Sequence, residues 1–317
     1  MASVSAPKGE ESSSPPLLDH LVILVPHAFL ASPPSWFAGA FTLYPGGKHA
    51  DGVTENVLVF FADGSYLELI AFVDDDVGRE GRDGHRWGQQ KEGTVIDWAL
   101  TLLPSTSSNN DGKDDADRLG SVSAAFKEIQ QKVRGAGAGI KYRDLVRGGR
   151  NRPDGQVLKW AISSAAEEAN GKPWEPGVLP FWCLDETPRQ LRVPYQDRGG
   201  KLAEHASGAV GVAVLQVSPP PIAATEFGDG TARLRPVYDV LFGKSESGNE
   251  GRWTVGTPEE GHHTHGEVHL RTDTGDQEGT DKLTLKFFTT SRDFAGKTIG
   301  GPITDQARLE FEFVSSH

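Results

Sequence analysis

The stretch Leu17-Leu18-Asp19-His20-Leu21-Val22-Ile23-Leu24-Val25-Pro26 decides the fold, because the chain uses its pattern twice. LLDHLVILV is short, aliphatic and stopped by proline, which reads as a buried strand. Ile96-Asp97-Trp98-Ala99-Leu100-Thr101-Leu102-Leu103-Pro104 repeats the order apolar residue, Asp, aromatic ring, apolar run, proline, displaced by 78 residues from Pro26 to Pro104. Repetition on that scale means duplicated supersecondary units.

The segments after the two copies match as well. After the first come a proline-led short helix within 28–41, a short extended piece, and strands at 55–62 and 65–72 joined by Asp63-Gly64, a tight-hairpin signal. Residues 73–93 are charged and glycine-rich and read as a loop. After the second come a polar loop at 105–117 and a helix with the stripe Leu119, Val122, Phe126, Ile129 and Val133, ended by Gly135, Gly137 and Gly139. Strands are expected at 140–146, 156–163 and 179–184. The unit is βαβββ, present over 17–72 and 94–185. A third start at Ala209–Val217, a helix near 236–242 and strands near 266–271, 282–289 and 307–314 make 205–317 either a third module or a β-rich elaboration. Residues 1–16, rich in Ser, Pro and Glu, read as a disordered tail.

Composition narrows the function. The 317 residues carry 32 basic and 44 acidic side chains, a net charge of −12, which opposes nonspecific nucleic-acid binding. No apolar run reaches the length of a membrane span, and no secretory signal is visible. A single cysteine, Cys183, rules out an intrachain disulfide and a cysteine metal cluster and points to the reducing cytoplasm. Phosphate loops, dinucleotide fingerprints and a GxSxG elbow are absent.

At LDHLVILVP, GGKHADGVTEN, DGSYLELIAF, NRPDGQVLKWAI and LPFW the sequence resembles the glyoxalase-like domains of the vicinal-oxygen-chelate superfamily, over roughly residues 17–190. The resemblance implies an α+β fold of repeated βαβββ modules, with curled, mostly antiparallel half-barrel sheets around a pocket. It also implies a divalent ion (Zn, Mn, Ni, Co or Fe) held from the modules' first and last strands, where His20 and Glu68 stand, and a substrate with two neighbouring oxygens.

Strand alternation places His20 with Leu18, Val22 and Leu24, and Glu68 with Tyr66, Ile70 and Phe72. A carboxylate inside an apolar strand requires a partner, whether metal, arginine or a buried histidine. His49 and His205 are candidates to complete the set, His205 as a ligand and His49 as a catalytic group beside Glu68. Trp98 holds the place of His20 in the second module and cannot ligate, which departs from the lactoylglutathione-lyase pattern. Asn56 is a candidate to orient a substrate oxygen, Arg152 to grip a carboxylate, and Trp87, Trp98 and Trp160 to line an apolar cavity; Arg150 reads as surface charge. The tract His262-His263-Thr264-His265-Gly266-Glu267-Val268-His269 reads as a polar edge. The functional expectation is a metal-dependent lyase or isomerase for a small oxygenated molecule. The alternatives are a metal-free sequestering protein, an extradiol-type dioxygenase built on two histidines and a glutamate, or an acidic interaction protein. A monomer or homodimer is expected.

Overall fold

The structure is a computed structural model that describes residues 15–104, 115–152, 155–219, 232–245, 251–259, 265–271 and 283–316. The N-terminal tail through Ser14, most of the polar loop at 105–117, the Pro153-Asp154 turn, and His262 and His263 lie outside the described residues.

The first module runs β1 (Leu17–Leu24), α1 (His27–Ala31), α2 (Ser35–Ala38), β2 (Tyr44–Lys48), β3 (Thr54–Phe60) and β4 (Tyr66–Phe72). A short helix α3 (Asp76–Arg82), capped by Asp75 through the Gly78 amide, interrupts the segment expected to be all loop. The second module runs β5 (Thr94–Thr101), α4 (Asp115–Gly135), β6 (Ile140–Tyr142), β7 (Val146–Asn151), β8 (Val157–Ser163), β9 (Ala165–Glu167), β10 (Phe181–Asp185) and α5 (Arg189–Arg192). Then come β11 (Ala209–Val217), α6 (Leu234–Phe242), β12 (Arg252–Val255), β13 (Gly266–Leu270), β14 (Leu283–Thr289), β15 (Thr298–Thr304) and β16 (Ala307–Ser315).

One eight-stranded sheet has the order β2-β3-β4-β1-β5-β10-β8-β7. The repeated strands β1 and β5 lie antiparallel at its centre, with β4 parallel to β1 and β10 parallel to β5. The module pattern is therefore mirrored about the centre, and the sheet curls until its edge strands β2 and β7 approach each other: a Cβ on Gly46 would lie 2.8 Å from Nη1 of Arg150. The fold is α+β, built of βαβββ modules curled around a pocket. The Asp63-Gly64 hairpin forms as expected, with Thr54 opposite Phe72, Phe60 opposite Tyr66 and Gly64 at φ 80°.

The C-terminal residues form a six-stranded sheet, β12-β13-β11-β14-β16-β15, with the same plan. Its central pair β11 and β14 is antiparallel, and β13 and β16 lie parallel to β11 and β14 respectively. The strands β12 and β15 had no clear sequence signal; β15 contains Gly300-Gly301-Pro302, tolerated because it is an edge strand.

One core joins both sheets and the helices. Leu18, Leu21 and Ile23 on the back of β1 share it with Leu215, Phe287 and Phe311. From α4 come Val122, Phe126, Ile129 and Val133, and from α6 Leu234, Val237, Tyr238 and Leu241. Each such side chain contributes about 1.5–3 kcal/mol by leaving water.

A bulge sets which way β1 points. Leu18 pairs with Leu100 and His20 with Ala99, so Asp19 is an extra residue. The expectation that His20 shares a face with Leu18 is corrected by it. Leu18 joins the back core, while Val22 and Leu24 join the inner cluster with Ala99 and Phe181 on the concave side where His20 lies.

Candidate functional site

The inside of the curled sheet encloses a cavity of about 320 Å³. Each module supplies part of its wall: β1 gives His20, β3 Thr54 and Asn56, β4 Tyr66 and Glu68, β7 Arg150, β8 Trp160 and β10 Phe181 and Cys183. His49 projects from the turn after β2, and His85 and Trp87 from the segment after α3.

At the floor, His20 Nε2 lies 3.5 Å from Glu68 Oε2, and His49 Nε2 lies 3.5 Å from Glu68 Oε1. Asn56 Nδ2 donates to Glu68 Oε1 at 2.6 Å and stands 3.3 Å from His49 Nε2. The far nitrogens are pinned too. His20 Nδ1 meets Asp19 Oδ2 at 2.6 Å, and His49 Nδ1 meets Thr54 Oγ1 at 2.6 Å.

Behind His20 lies a buried ion cluster. Asp19 is fully buried and takes Arg192 Nη1 at 3.0 Å, Arg192 Nη2 at 3.1 Å and also Arg189 Nη1. Asp185 closes the cluster on Arg192 Nε and Nη2 at 2.5 and 2.7 Å. Burial alone would raise the Asp19 carboxyl, but Arg189 and Arg192, with the His20 hydrogen bond, hold it well below the usual carboxylate range. An ionised Asp19 only accepts, so His20 Nδ1 carries hydrogen and Nε2 is the nitrogen turned to Glu68. Arg192 Nη1 also donates to Tyr66 Oη at 2.7 Å, and burial pushes that phenol well above its ordinary value. The Tyr66 ring stacks on His20 at 4.6 Å.

The cavity brings together Glu68, His49, Asn56, His20, Trp87 and Trp160, and leaves three expected residues out. His205 spends both ring nitrogens on backbone: Nδ1 accepts from the Thr42 amide at 3.0 Å, and Nε2 bonds the Phe60 carbonyl at 2.8 Å. It packs between Phe41 and Phe61, and burial pushes it down to about 4. It is a clip between segments and not a metal ligand. Trp98 is fully buried on the other side of the sheet, where Nε1 donates to the Gly177 carbonyl at 3.1 Å and the ring packs with Tyr238 and Phe242. The reason is register: in β5 the extra residue is Ile96, so Ala99 and not Trp98 pairs with His20. Arg152 lies beyond the end of β7 and donates to the Leu191 carbonyl at 3.1 Å, outside the cavity. Arg150, read from sequence as surface charge, is 5% exposed and forms part of the wall.

Sequence reasoning missed Arg150, Asp19, Arg189, Arg192, Tyr66 and His85. A usable signal existed for one of them: Gly46-Gly47-Lys48 and Gly148-Gly149-Arg150 repeat between the modules' edge strands. The glycines are needed for close approach. A Cβ at Gly46 would stand 1.8 Å from Asn56 Oδ1, and one at Gly148 2.9 Å from the Trp160 indole nitrogen.

Two groups are candidates to hold a metal ion. Asp19, His20 and Cys183 offer ligand atoms within 4.8 Å of one another. They fit poorly, since the Asp19 oxygens already face two guanidiniums and burial pushes the Cys183 thiol up, away from the ligating thiolate. His20, His49 and Glu68 fit better in donor chemistry. Each imidazole Nε2 stands 3.5 Å from a different oxygen of the Glu68 carboxylate, and each ring is oriented by a partner on its Nδ1, although these three do not gather within 4.8 Å of one another as Asp19, His20 and Cys183 do. Imidazole nitrogens turned on a carboxylate ask for a cation or a proton between them.

The glyoxalase-like domain profile matches residues 18–228, and the chain belongs to this family, within the vicinal-oxygen-chelate superfamily. No curated protein matches it. Among solved structures, a hypothetical protein from Staphylococcus aureus is 12% identical, covering 94% of this chain and 99% of its own at a TM-score of 0.56, a likeness of fold. The Mn(II)-bound glyoxalase from Novosphingobium aromaticivorans is 11% identical over 96% of this chain and 83% of its own, with a TM-score of 0.41. The methylmalonyl-CoA epimerase from Mycobacterium tuberculosis is 12% identical over 57% and 95%, with a TM-score of 0.31. Among the described residues no helix is long and apolar enough to cross a membrane.

Proposed function

We propose that this protein is a divalent-metal-dependent lyase or isomerase acting on a small oxygenated molecule in the cavity. The observation that carries the reading is the Glu68 carboxylate set between the Nε2 atoms of His20 and His49, 3.5 Å from each. These three residues are the ones that would hold the ion. Bound there, a divalent ion supplies Lewis acidity toward a substrate oxygen. Asp19 and Thr54 hold the two rings in orientation. Asn56 occupies Glu68 Oε1 and leaves Oε2 as the atom to take a proton from substrate carbon and return it. Trp87 and Trp160 flank the substrate and keep water out. The two N-terminal modules, 17–72 and 94–185, form the working domain, and 205–317 backs it as a further unit. The protein works in the cytoplasm as a monomer or homodimer.

Metal analysis tests this. Protein purified without chelator is expected to hold close to one equivalent of a transition metal, and calorimetric titration of Mn(II), Ni(II), Zn(II) or Fe(II) into stripped protein is expected to saturate at one site. His20→Ala and Glu68→Gln are each expected to weaken metal affinity about 10- to 100-fold or more. Less than about a tenth of an equivalent, with no saturable titration, overturns the reading.

A metal-free small-molecule binder is the second reading. The Asn56 bond to Glu68 at 2.6 Å favours it, because it closes a polar network that stands without an ion. Ligand binding indifferent to chelator would select it.

A further inference from the structure

Arg150 touches no carboxylate among the described residues, and Glu68 reaches it only through Asn56. Its side chain is 5% exposed and lines the cavity, yet its one hydrogen bond there runs from Nη1 to the neutral amide oxygen of Asn56 at 3.1 Å. Its Nε is buried without an acceptor, and no described carboxylate lies within 4.0 Å of it. The other buried guanidiniums near the cavity are matched: Arg189 and Arg192 share Asp19 and Asp185. A buried charge left single is costly unless something brings the opposite charge to it.

We propose that Arg150 is the recognition residue for a carboxylate on the ligand, and that the ligand class is a carboxylic acid with a flat apolar body. This rests on the reading of the cavity as the substrate site. A guanidinium is planar and offers parallel N–H groups that match a carboxylate. Asn56 stands between Arg150 and Glu68, accepting from the guanidinium and donating to the carboxylate, so the N–H groups of Arg150 that Asn56 does not take are left for one ligand carboxylate, and a phosphate dianion would bring a second negative charge beside Glu68. Aromatic rings make up much of the rest of the wall. Trp160 meets His49 edge-on at 6.3 Å, and Trp87 meets Phe181 at 6.2 Å, so indoles stand on two sides of the space. At about 320 Å³ it suits a small aryl or branched-chain acid.

The test is calorimetric titration of chelator-treated protein with phenylacetate, its neutral analogue phenylacetamide, and phenyl phosphate. Wild type is expected to bind phenylacetate about tenfold or more tightly than the amide. Arg150→Gln is expected to erase that preference while changing amide affinity less than about threefold, and Arg150→Lys to restore part of it. Equal affinity of wild type for acid and amide, or an undiminished preference in Arg150→Gln, overturns the proposal. Tighter binding of phenyl phosphate overturns the carboxylate assignment. If Arg150→Gln fails to fold, the wild-type comparison decides alone. Working without metal separates the role of Arg150 from that of the His20–His49–Glu68 site. An acid preference that survives chelator supports Arg150 even where no ion binds, and one that appears only after Mn(II) is restored assigns the anion to the ion and refutes Arg150.

Discussion

Replacing Asp19 by Asn tests the buried cluster that holds His20. The carboxylate touches Arg189, both terminal nitrogens of Arg192 and His20 Nδ1. With Asp185 present, two guanidiniums face two carboxylates, and the substitution leaves two cations against one anion in a place water does not reach. The amide keeps the volume and one acceptor oxygen, so packing loss is small and the cost is the uncompensated charge. Breaking a buried pair in this way costs about 3–5 kcal/mol. Urea denaturation of wild type and Asp19→Asn at pH 7, followed by far-UV circular dichroism, is expected to show that loss as a lower midpoint at unchanged slope. The change would also free the His20 ring and weaken whatever the cavity binds. A loss below about 1 kcal/mol refutes the reasoning, because it would mean the arginines find water or other acceptors and the ion cluster is not what fixes β1 against α5.

His205, neutral in its clip with a value near 4 against 6.5 for an ordinary histidine, binds fewer protons folded than unfolded. Its contribution is complete above about pH 6.5 and lost as the pH falls toward 4, amounting to about 2–3 kcal/mol; His205→Gln is expected to flatten the pH dependence of the denaturation midpoint in that window, and an unchanged slope counts against the clip. Trp98→Ala is expected to cost about 3–5 kcal/mol because the indole fills the back core, while leaving affinity for cavity ligands within about twofold once the protein is folded. Trp160→Ala is expected to do the reverse, costing little stability and weakening ligand binding, measurable by the same titrations.

The strands that carry His20 and Glu68 were legible because their apolar runs are bounded by sharp breakers, Pro26 at one end and Asp63-Gly64 at the other. The edge strand that carries Arg150 was not. Val146-Arg147-Gly148-Gly149-Arg150-Asn151 has no apolar alternation, since its role is to close the mouth and not to fill a core. Alternation misjudged Leu18, and the repeat misplaced Trp98, because a bulge moves a whole strand segment to the other face and leaves no mark in composition. The Asp19 cluster joins residues 173 positions apart, a pairing that local pattern cannot show.

The two repeated aspartates explain how the second copy, with Trp98 at the place of His20, still serves the site. Asp97 stands 78 residues after Asp19 and is equally buried. It accepts from Arg86 Nε and Trp87 Nε1, each at 2.8 Å, and from the Gly177 amide at 3.0 Å. Arg86 and Trp87 belong to the segment after the last strand of the first module, and they dock on the first strand of the second. Arg189 and Arg192 come after the last strand of the second module and dock on the first strand of the first. Each module thus locks its partner through the same acidic position. At Asp19 the lock aims His20 at Glu68, and at Asp97 it aims Trp87 into the cavity wall. The acid is the shared structural element of the repeat, and the ring beside it differs, His20 in one copy and Trp98 in the other.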